Sequence, residues 1–289
     1  MSRPEHLAPP ELFYNEKEAS KYAQSSRMMQ IQRQISDRAL ELLNLPAGFQ
    51  GLLLDVGCGT GMSGAVLEER GHTWLGMDIS RSMLDIASTS IHDEESNGDV
   101  VEADMGNGLG FRGGTFDGCI SISAVQWLCY ANHANHVPKK RLKCFFQTLY
   151  SVLRKGARAV IQLYAETPQQ MELITNVAMS VGFTGGVVID YPNSAKAKKM
   201  YLVLMTGPSA QVPRGKTEEV AHGKRVVSSE VAYESARKGF RSKKRDRRGA
   251  DIDVKGREWI MKKKDRQRRQ GKEVKTDSKY SGRRRNNKF

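Results

Sequence analysis

The 289-residue sequence predicts an α/β fold, a doubly wound and mostly parallel sheet ending in an antiparallel hairpin and followed by a basic C-terminal tail. Three observations predict it. Short apolar runs alternate with helix-period segments from about residue 51 to residue 182, the pattern of successive βα units. Two further apolar runs, 186–190 and 200–205, are joined by a stretch too short for a crossover helix, so they should pair antiparallel. Charge then divides the chain: residues 208–289 hold 27 Lys+Arg and 11 Asp+Glu, net +16, whereas residues 1–207 hold 19 and 21, net −2.

The elements follow in order. Residues 16–45 carry Ala19, Tyr22, Ala23, Met28, Ile31, Ile35, Ala39 and Leu42 at helical spacing, and Pro46 with Gly48 ends that helix. Residues 52–56 form a continuous apolar run closing in glycine, which suits a buried parallel strand. Strands are predicted at 73–77, 99–103, 116–123 and 157–163, with a helix at 81–90 and another at 140–153 stopped by Gly156. Thr167 caps the next helix, Pro168 takes its first position, and Gly182 stops it. Beyond Gly207-Pro208 apolar residues become sparse, and 208–289 reads as extended or disordered in isolation. A short helix around 257–269 is the exception, with Trp259, Ile260 and Met261 as its apolar cluster.

The four cysteines, Cys58, Cys119, Cys129 and Cys144, form no CxxC pair and lie at no zinc-finger spacing from a histidine. They read as reduced thiols, and no metal site is expected. The N-terminus lacks an apolar signal region, and no run approaches the roughly 18 apolar residues of a membrane span. A soluble protein of cytosol or nucleus, without a membrane partner, is the expectation.

The segment Asp55-Val56-Gly57-Cys58-Gly59-Thr60-Gly61 lies where the first strand meets the following helix. Gly57, Gly59 and Gly61 let backbone approach a ligand closely, and the helix amides face it. Asp78 ends the second strand, where a carboxylate can accept both ribose hydroxyls of an adenosine, with Ile79 beside it. Asp104 follows the third strand, where it can accept from an adenine amino group, with Met105 against the ring. Residues 59–64 also fit GxGxxG, so a dinucleotide site competes with one for S-adenosylmethionine. Asp55 inside the strand end, as in the D-x-G-x-G-x-G pattern of methyltransferases, and the hairpin at 186–205 favour the methyl donor. The topology resembles the class I, Rossmann-like methyltransferases. The chain then divides into an N-terminal segment and helix (1–50) covering the cofactor site, a cofactor-binding domain (51–207), and a basic extension (208–289).

Four stretches resemble one family more specifically, the eukaryotic enzymes that methylate guanine N7 in small-subunit (18S) ribosomal RNA. They are Arg3-Pro4-Glu5-His6 with Pro9-Pro10-Glu11-Leu12-Phe13-Tyr14, Ser123-Ala124-Val125-Gln126-Trp127-Leu128-Cys129, Gly182-Phe183-Thr184-Gly185-Gly186 with Asp190-Tyr191-Pro192-Asn193-Ser194, and Lys196-Ala197-Lys198-Lys199. Trp259-Ile260, Gly271-Lys272, Val274-Lys275 and Lys279-Tyr280-Ser281-Gly282-Arg283-Arg284 extend the likeness into the tail. Departures are modest: Ala165 stands where the family has proline, and the 130–137 loop is less typical.

The resemblance implies a nuclear protein, nucleolar and nucleoplasmic with some in the cytoplasm, acting on small-subunit rRNA in the pre-ribosome. It implies an obligate heterodimer with a small zinc-ribbon activator shared by several methyltransferases, which would extend the sheet at the edge strand near 99–103. Guanine N7 carries an exposed lone pair, so no catalytic base is expected, only alignment. Gln126 is expected to read the edge of the guanine, and Trp127 either stacks on it or packs in the core. Tyr14 either closes over the cofactor or packs on the sheet. Tyr191-Pro192-Asn193 is either near the substrate or a plain turn. The tail clusters, Lys243-Lys244-Arg245, Lys262-Lys263-Lys264 and Arg283-Arg284-Arg285, suit rRNA phosphates, nuclear import, or a solvated tail with neither role. Two other functions compete: a ribosome-assembly factor whose binding outweighs its catalysis, and a small-molecule methyltransferase.

Overall fold

The computed structural model describes residues 3–93, 96–194, 197–207, 212–213 and 215–217, and beyond these only 261, 264, 267, 268, 274, 276 and 277. The chain divides into two compact units, residues 1–233 and 234–289. In the first, a short turn of 3-10 helix at Pro4–His6 leads into α1 (Pro10–Phe13), α2 (Glu16–Gln24) and α3 (Ser26–Leu43). There follow β1 (Leu52–Val56), α4 (Met62–Glu69), β2 (Thr73–Asp78), α5 (Arg81–Asp93), β3 (Gly98–Glu102), β4 (Phe116–Ile122), α6 (Pro138–Val152), β5 (Leu153–Leu163), α7 (Pro168–Ser180), β6 (Thr184–Asp190) and β7 (Lys199–Met205). The seven strands order β3-β2-β1-β4-β5-β7-β6, with β7 inserted antiparallel between β5 and β6. This is the doubly wound sheet with the terminal hairpin that the sequence predicts.

Period-2 alternation divides the strands between two cores. Leu53, Ile120, Val160 and Val203 face α3, where Leu42 and Leu43 pack. Their neighbours Leu54, Cys119, Ile161 and Leu204 face the other way, against Phe145, Phe146 and Leu149 of α6 and Ile174 of α7. Fully burying one such aliphatic side chain stabilises by about 1.5–3 kcal/mol.

The single helix expected over 16–45 is two. Ser25 leaves the helical region at φ −80°, ψ 97°, and its hydroxyl accepts the Met28 amide, capping α3. The helix expected at 140–153 starts earlier, at Pro138, and ends at Val152. Gly156 is not its stop. It sits inside β5 at φ +84°, within an irregularity that shifts the β4–β5 register, and donates to Thr206 O at 2.6 Å.

Contacts of the first unit continue past residue 207. Val212 packs on the α3 core, Lys216 donates its amide to Asp190 at 2.7 Å, and Tyr191 donates to Lys216 O at 2.7 Å. In the second unit Met261, Lys264, Gln267 and Arg268 are helical, within the short helix expected there, and Lys264 (2.8 Å) and Arg268 (2.5 Å) pair with Asp277. The rest of the tail, including most of its basic clusters and the extended or disordered state expected for it, lies outside the described residues. Among the described residues no helix is long and apolar enough to cross a membrane, and no group of three or more His, Cys, Asp or Glu could hold a metal ion.

Candidate cofactor and acceptor site

Four parallel strands, β1 to β4, end at one cavity, as in open α/β sheets generally. Gly57, Cys58 and Gly59 after β1, Asp78 and Ile79 after β2, Asp104 and Met105 after β3, and Ser123, Ala124 and Trp127 after β4 line it. Tyr14 and Tyr22 reach it from the N-terminal segment.

The turn after β1 is built for close approach. Gly57 has φ +76°, and a Cβ there would lie 2.2 Å from the Ala124 Cβ. Gly64 tells a different story. A Cβ on it would meet the Trp74 indole at 2.4 Å, so this last glycine of the dinucleotide-like pattern makes room for core packing of α4 on β2. Gly61, whose Cβ would meet Ala87, likewise lies outside the cavity wall.

The three acidic positions differ. Asp55 is fully buried beneath the turn; Oδ2 accepts from Ser63 Oγ at 2.5 Å, and Oδ1 has no partner among the described residues. Burial pushes its carboxyl up to about 7; the Ser63 hydrogen bond opposes the shift, and the nearby Asp78 charge adds to it. Asp78 accepts the amides of Gly59 and Ser80, both at 2.9 Å. Burial raises its pKa, and the amides it accepts oppose the rise. Asp104 accepts from the Gly106 amide at 2.8 Å and from Arg141 at 2.5 and 2.6 Å.

The N-terminal segment is tied across the mouth. Arg3 donates to Tyr164 O (2.8 Å), His6 meets Glu166 (3.1 Å), Glu11 meets His133 (3.1 Å), and Ser80 donates to Tyr14 O (2.8 Å). Tyr14 and Trp127 stand edge to face. Burial raises the Tyr14 pKa to about 12, with the Glu5 and Asp78 charges adding, so its hydroxyl keeps its proton.

Three expected site residues, Gly61, Gln126 and Asp55, lie outside the cavity lining. Gln126 is buried and outside the cavity lining; its amide nitrogen donates to Ser123 O at 2.8 Å, so it braces the loop from below and does not face an acceptor. Asp55 is buried beneath the cavity, outside its lining. Tyr191 has φ +50° in the β6–β7 turn and lines a separate groove with Arg38 and Lys216. Sequence reasoning missed Tyr22, Gln32, Met83, Asn132, His133, His136 and Arg141, all in the cavity wall. None carries a local motif, and only docking of α2, α3, α5, α6 and the loop before α6 brings them there.

A family model described as "Methyltransferase domain" matches residues 53–156, and one described as "Methyltransferase involved in Williams-Beuren syndrome" matches residues 204–287. The 18S rRNA (guanine-N(7))-methyltransferase of Mus musculus is 53% identical over 99% of this chain and 98% of its own. The chain belongs to the 18S rRNA (guanine-N7)-methyltransferase family. Membership spans kingdoms: the Arabidopsis thaliana member is 48% identical over 100% of this chain and 99% of its own, and the Saccharomyces cerevisiae 18S rRNA (guanine(1575)-N(7))-methyltransferase 44% over 100% of both. Among solved structures, phosphoethanolamine N-methyltransferase 2 of Haemonchus contortus shares the fold at TM-score 0.51, with 14% identity, over 72% of this chain and 61% of its own.

The cavity fits the methyl donor of this family, S-adenosylmethionine. The unpartnered Asp55 Oδ1 and the buried, unpartnered Thr60 hydroxyl lie on the β1 side, where the donor's amine needs acceptors. The Gly57 turn leaves space that a side chain would fill.

Proposed function

We propose that this chain transfers a methyl group from S-adenosylmethionine to N7 of a guanosine in 18S rRNA. Similarity to the rRNA methyltransferases over essentially the whole chain carries this reading. The donor supplies an electrophilic methyl on a sulfonium. The residues around it supply alignment: Asp78 and Ile79 on the ribose side, Asp104 and Met105 on the base side, Asp55 toward the amine, Tyr14 and Trp127 where the acceptor enters. Guanine N7 needs no deprotonation, so holding the reactants in line, which supplies about 7–11 kcal/mol of such a barrier, is the main task of the protein. Trp127 offers an aromatic face for an unstacked guanine.

The basic tail is the companion phosphate-contacting element and carries nuclear import, placing the protein in nucleolus and nucleoplasm with some in the cytoplasm. A small zinc-ribbon protein completes the enzyme by pairing with β3. Support for that position is topological: among the described residues β3 pairs with β2 alone, and Val101 on it is 37% exposed. The test of the reaction is borohydride and aniline cleavage of small-subunit RNA read by primer extension, with and without this protein. Depletion should erase one N7-methylguanosine stop, and an unchanged pattern refutes the activity. Catalytically dead protein that fully restores subunit maturation would put the binding role first. Co-purification of a zinc-ribbon partner with wild type but not with Val101→Asp tests the edge assignment, and nuclear exclusion of wild type would overturn the location.

A further inference from the structure

Arg141, on the first turn of α6, sits behind the carboxylate at the base end of the cavity. It donates to both oxygens of Asp104, at 2.5 and 2.6 Å, and its own side chain is only 11% exposed. Gly106 makes this possible, because a Cβ there would lie 2.3 Å from the guanidinium. The other arm of Arg141 meets His136 Nδ1 at 3.2 Å. The His136 ring stands edge to face on His133 at 4.6 Å, and His133 meets Glu11 of the N-terminal segment.

The lone pairs of Asp104 can be counted. A carboxylate offers about four acceptor sites, two on each oxygen. Oδ1 accepts from Gly106 and Arg141, while Oδ2 accepts from Arg141 alone. One site is left, on Oδ2, and it can meet only a donor.

We infer that Arg141 is a positioning residue that makes the cavity selective for a 6-amino purine by fixing Asp104 with a single acceptor site open, and that His136, His133 and Glu11 carry this clamp to the N-terminal segment. The inference rests on the reading that the cavity binds S-adenosylmethionine with its base at Asp104. A 6-amino group donates to Oδ2. A 6-oxo group presents an acceptor to that acceptor, and leaves the open Oδ2 site without a donor. Without the guanidinium the carboxylate is free to turn and to hydrate, and the distinction fades.

The experiment is calorimetry on the full-length protein with S-adenosylhomocysteine and its 6-oxo analogue, S-inosylhomocysteine. Wild type should prefer the amino compound by about 10- to 100-fold, the scale of one hydrogen bond to a charged group. Arg141→Met should weaken S-adenosylhomocysteine by about 10- to 100-fold, as for one hydrogen bond to a charged group, and compress the preference to within about threefold. Arg141→Lys should restore part of the preference. The ratio is internal to each variant, so it survives a loss of stability. Binding of S-adenosylhomocysteine by wild type with no preference, or an undiminished preference in Arg141→Met, overturns the inference. Failure of wild type to bind S-adenosylhomocysteine at all removes the cofactor reading beneath it.

Discussion

Tyr14 and Trp127 meet edge to face with ring centroids 6.0 Å apart, so the N-terminal segment and the loop after β4 close one cavity from two sides. Trp127 is only 6% exposed yet lines that cavity. Packing and acceptor contact, alternatives in the sequence, are compatible in the fold. Trp127→Ala should cost about 3–5 kcal/mol of stability through the void it leaves. Trp127→Phe keeps most of the volume, and should lower turnover on RNA while leaving cofactor affinity near wild type. Steady-state kinetics beside calorimetry checks this, and wild-type turnover in the Phe variant would reduce Trp127 to packing.

Gly57→Ala meets two obstacles, a left-handed φ and a Cβ 2.2 Å from that of Ala124. The backbone strain alone costs on the order of 1–3 kcal/mol. The turn must shift, and S-adenosylmethionine affinity should collapse. Normal affinity by calorimetry would mean the turn is not the binding element. Ala124→Gly should recover little, because it relieves the contact and not the φ.

Asp55 gives a pH signature. Burial lifts its pKa from 3.8 to about 7, so the folded protein holds a proton that the unfolded chain releases across that window. Protons bound by the folded state exceed those of the unfolded state there, and stability without cofactor should fall as pH rises through it. Asp55→Asn should flatten the slope in thermal melts. A cationic amine beside Asp55 favours the ionised form, so cofactor affinity should tighten as pH rises through about 7. Identical pH profiles for wild type and Asp55→Asn would remove both effects.

Arg38 and Asp190 form a buried ion pair at 2.8 and 3.1 Å between α3 and the end of β6. Asp190 also takes the Lys216 amide, so the pair anchors the chain past the hairpin. Asp190→Ala leaves the buried Arg38 cation still paired with Glu41 at 2.8 Å, so the loss in denaturant unfolding should fall below the cost of a stranded buried charge, about 3–5 kcal/mol. The double change Arg38→Met with Asp190→Leu should recover much of that loss. Equal losses in the single and double variants would show that the charges are not coupled.

For the tail, contact with about six to ten phosphates predicts that RNA affinity falls on the order of 10³- to 10⁵-fold between low and near-physiological salt. Removal of residues 218–289 should flatten that dependence. An unchanged salt slope in filter binding would assign the basic clusters to import alone.

Much of the fold was legible because its signals are local. Apolar runs of strand length, helical spacing and glycine turns report which face of each segment seeks a core, and they placed all seven strands and the antiparallel hairpin. The acidic residues at the ends of β2 and β3 were legible as site residues for the same reason: a parallel sheet brings strand ends to one edge. Errors fell where local signals conflict. The Ser25 cap interrupts a helical period, and Gly156 reads as a stop when it is an irregularity inside β5.

The sequence by itself determined the sheet, the Gly57 turn, the three acidic positions and the family. Only the tertiary structure decided who faces the cavity. Arg141 lies 37 residues from Asp104, and His133 lies 122 from Glu11. Gln126 and Trp127 are neighbours in sequence, yet one braces the loop and the other lines the cavity. Periodicity fixes a side chain's face on its own element. Its partner is fixed by how elements docked from distant parts of the chain satisfy buried charge and close-packed volume, and that exists only once the chain has folded.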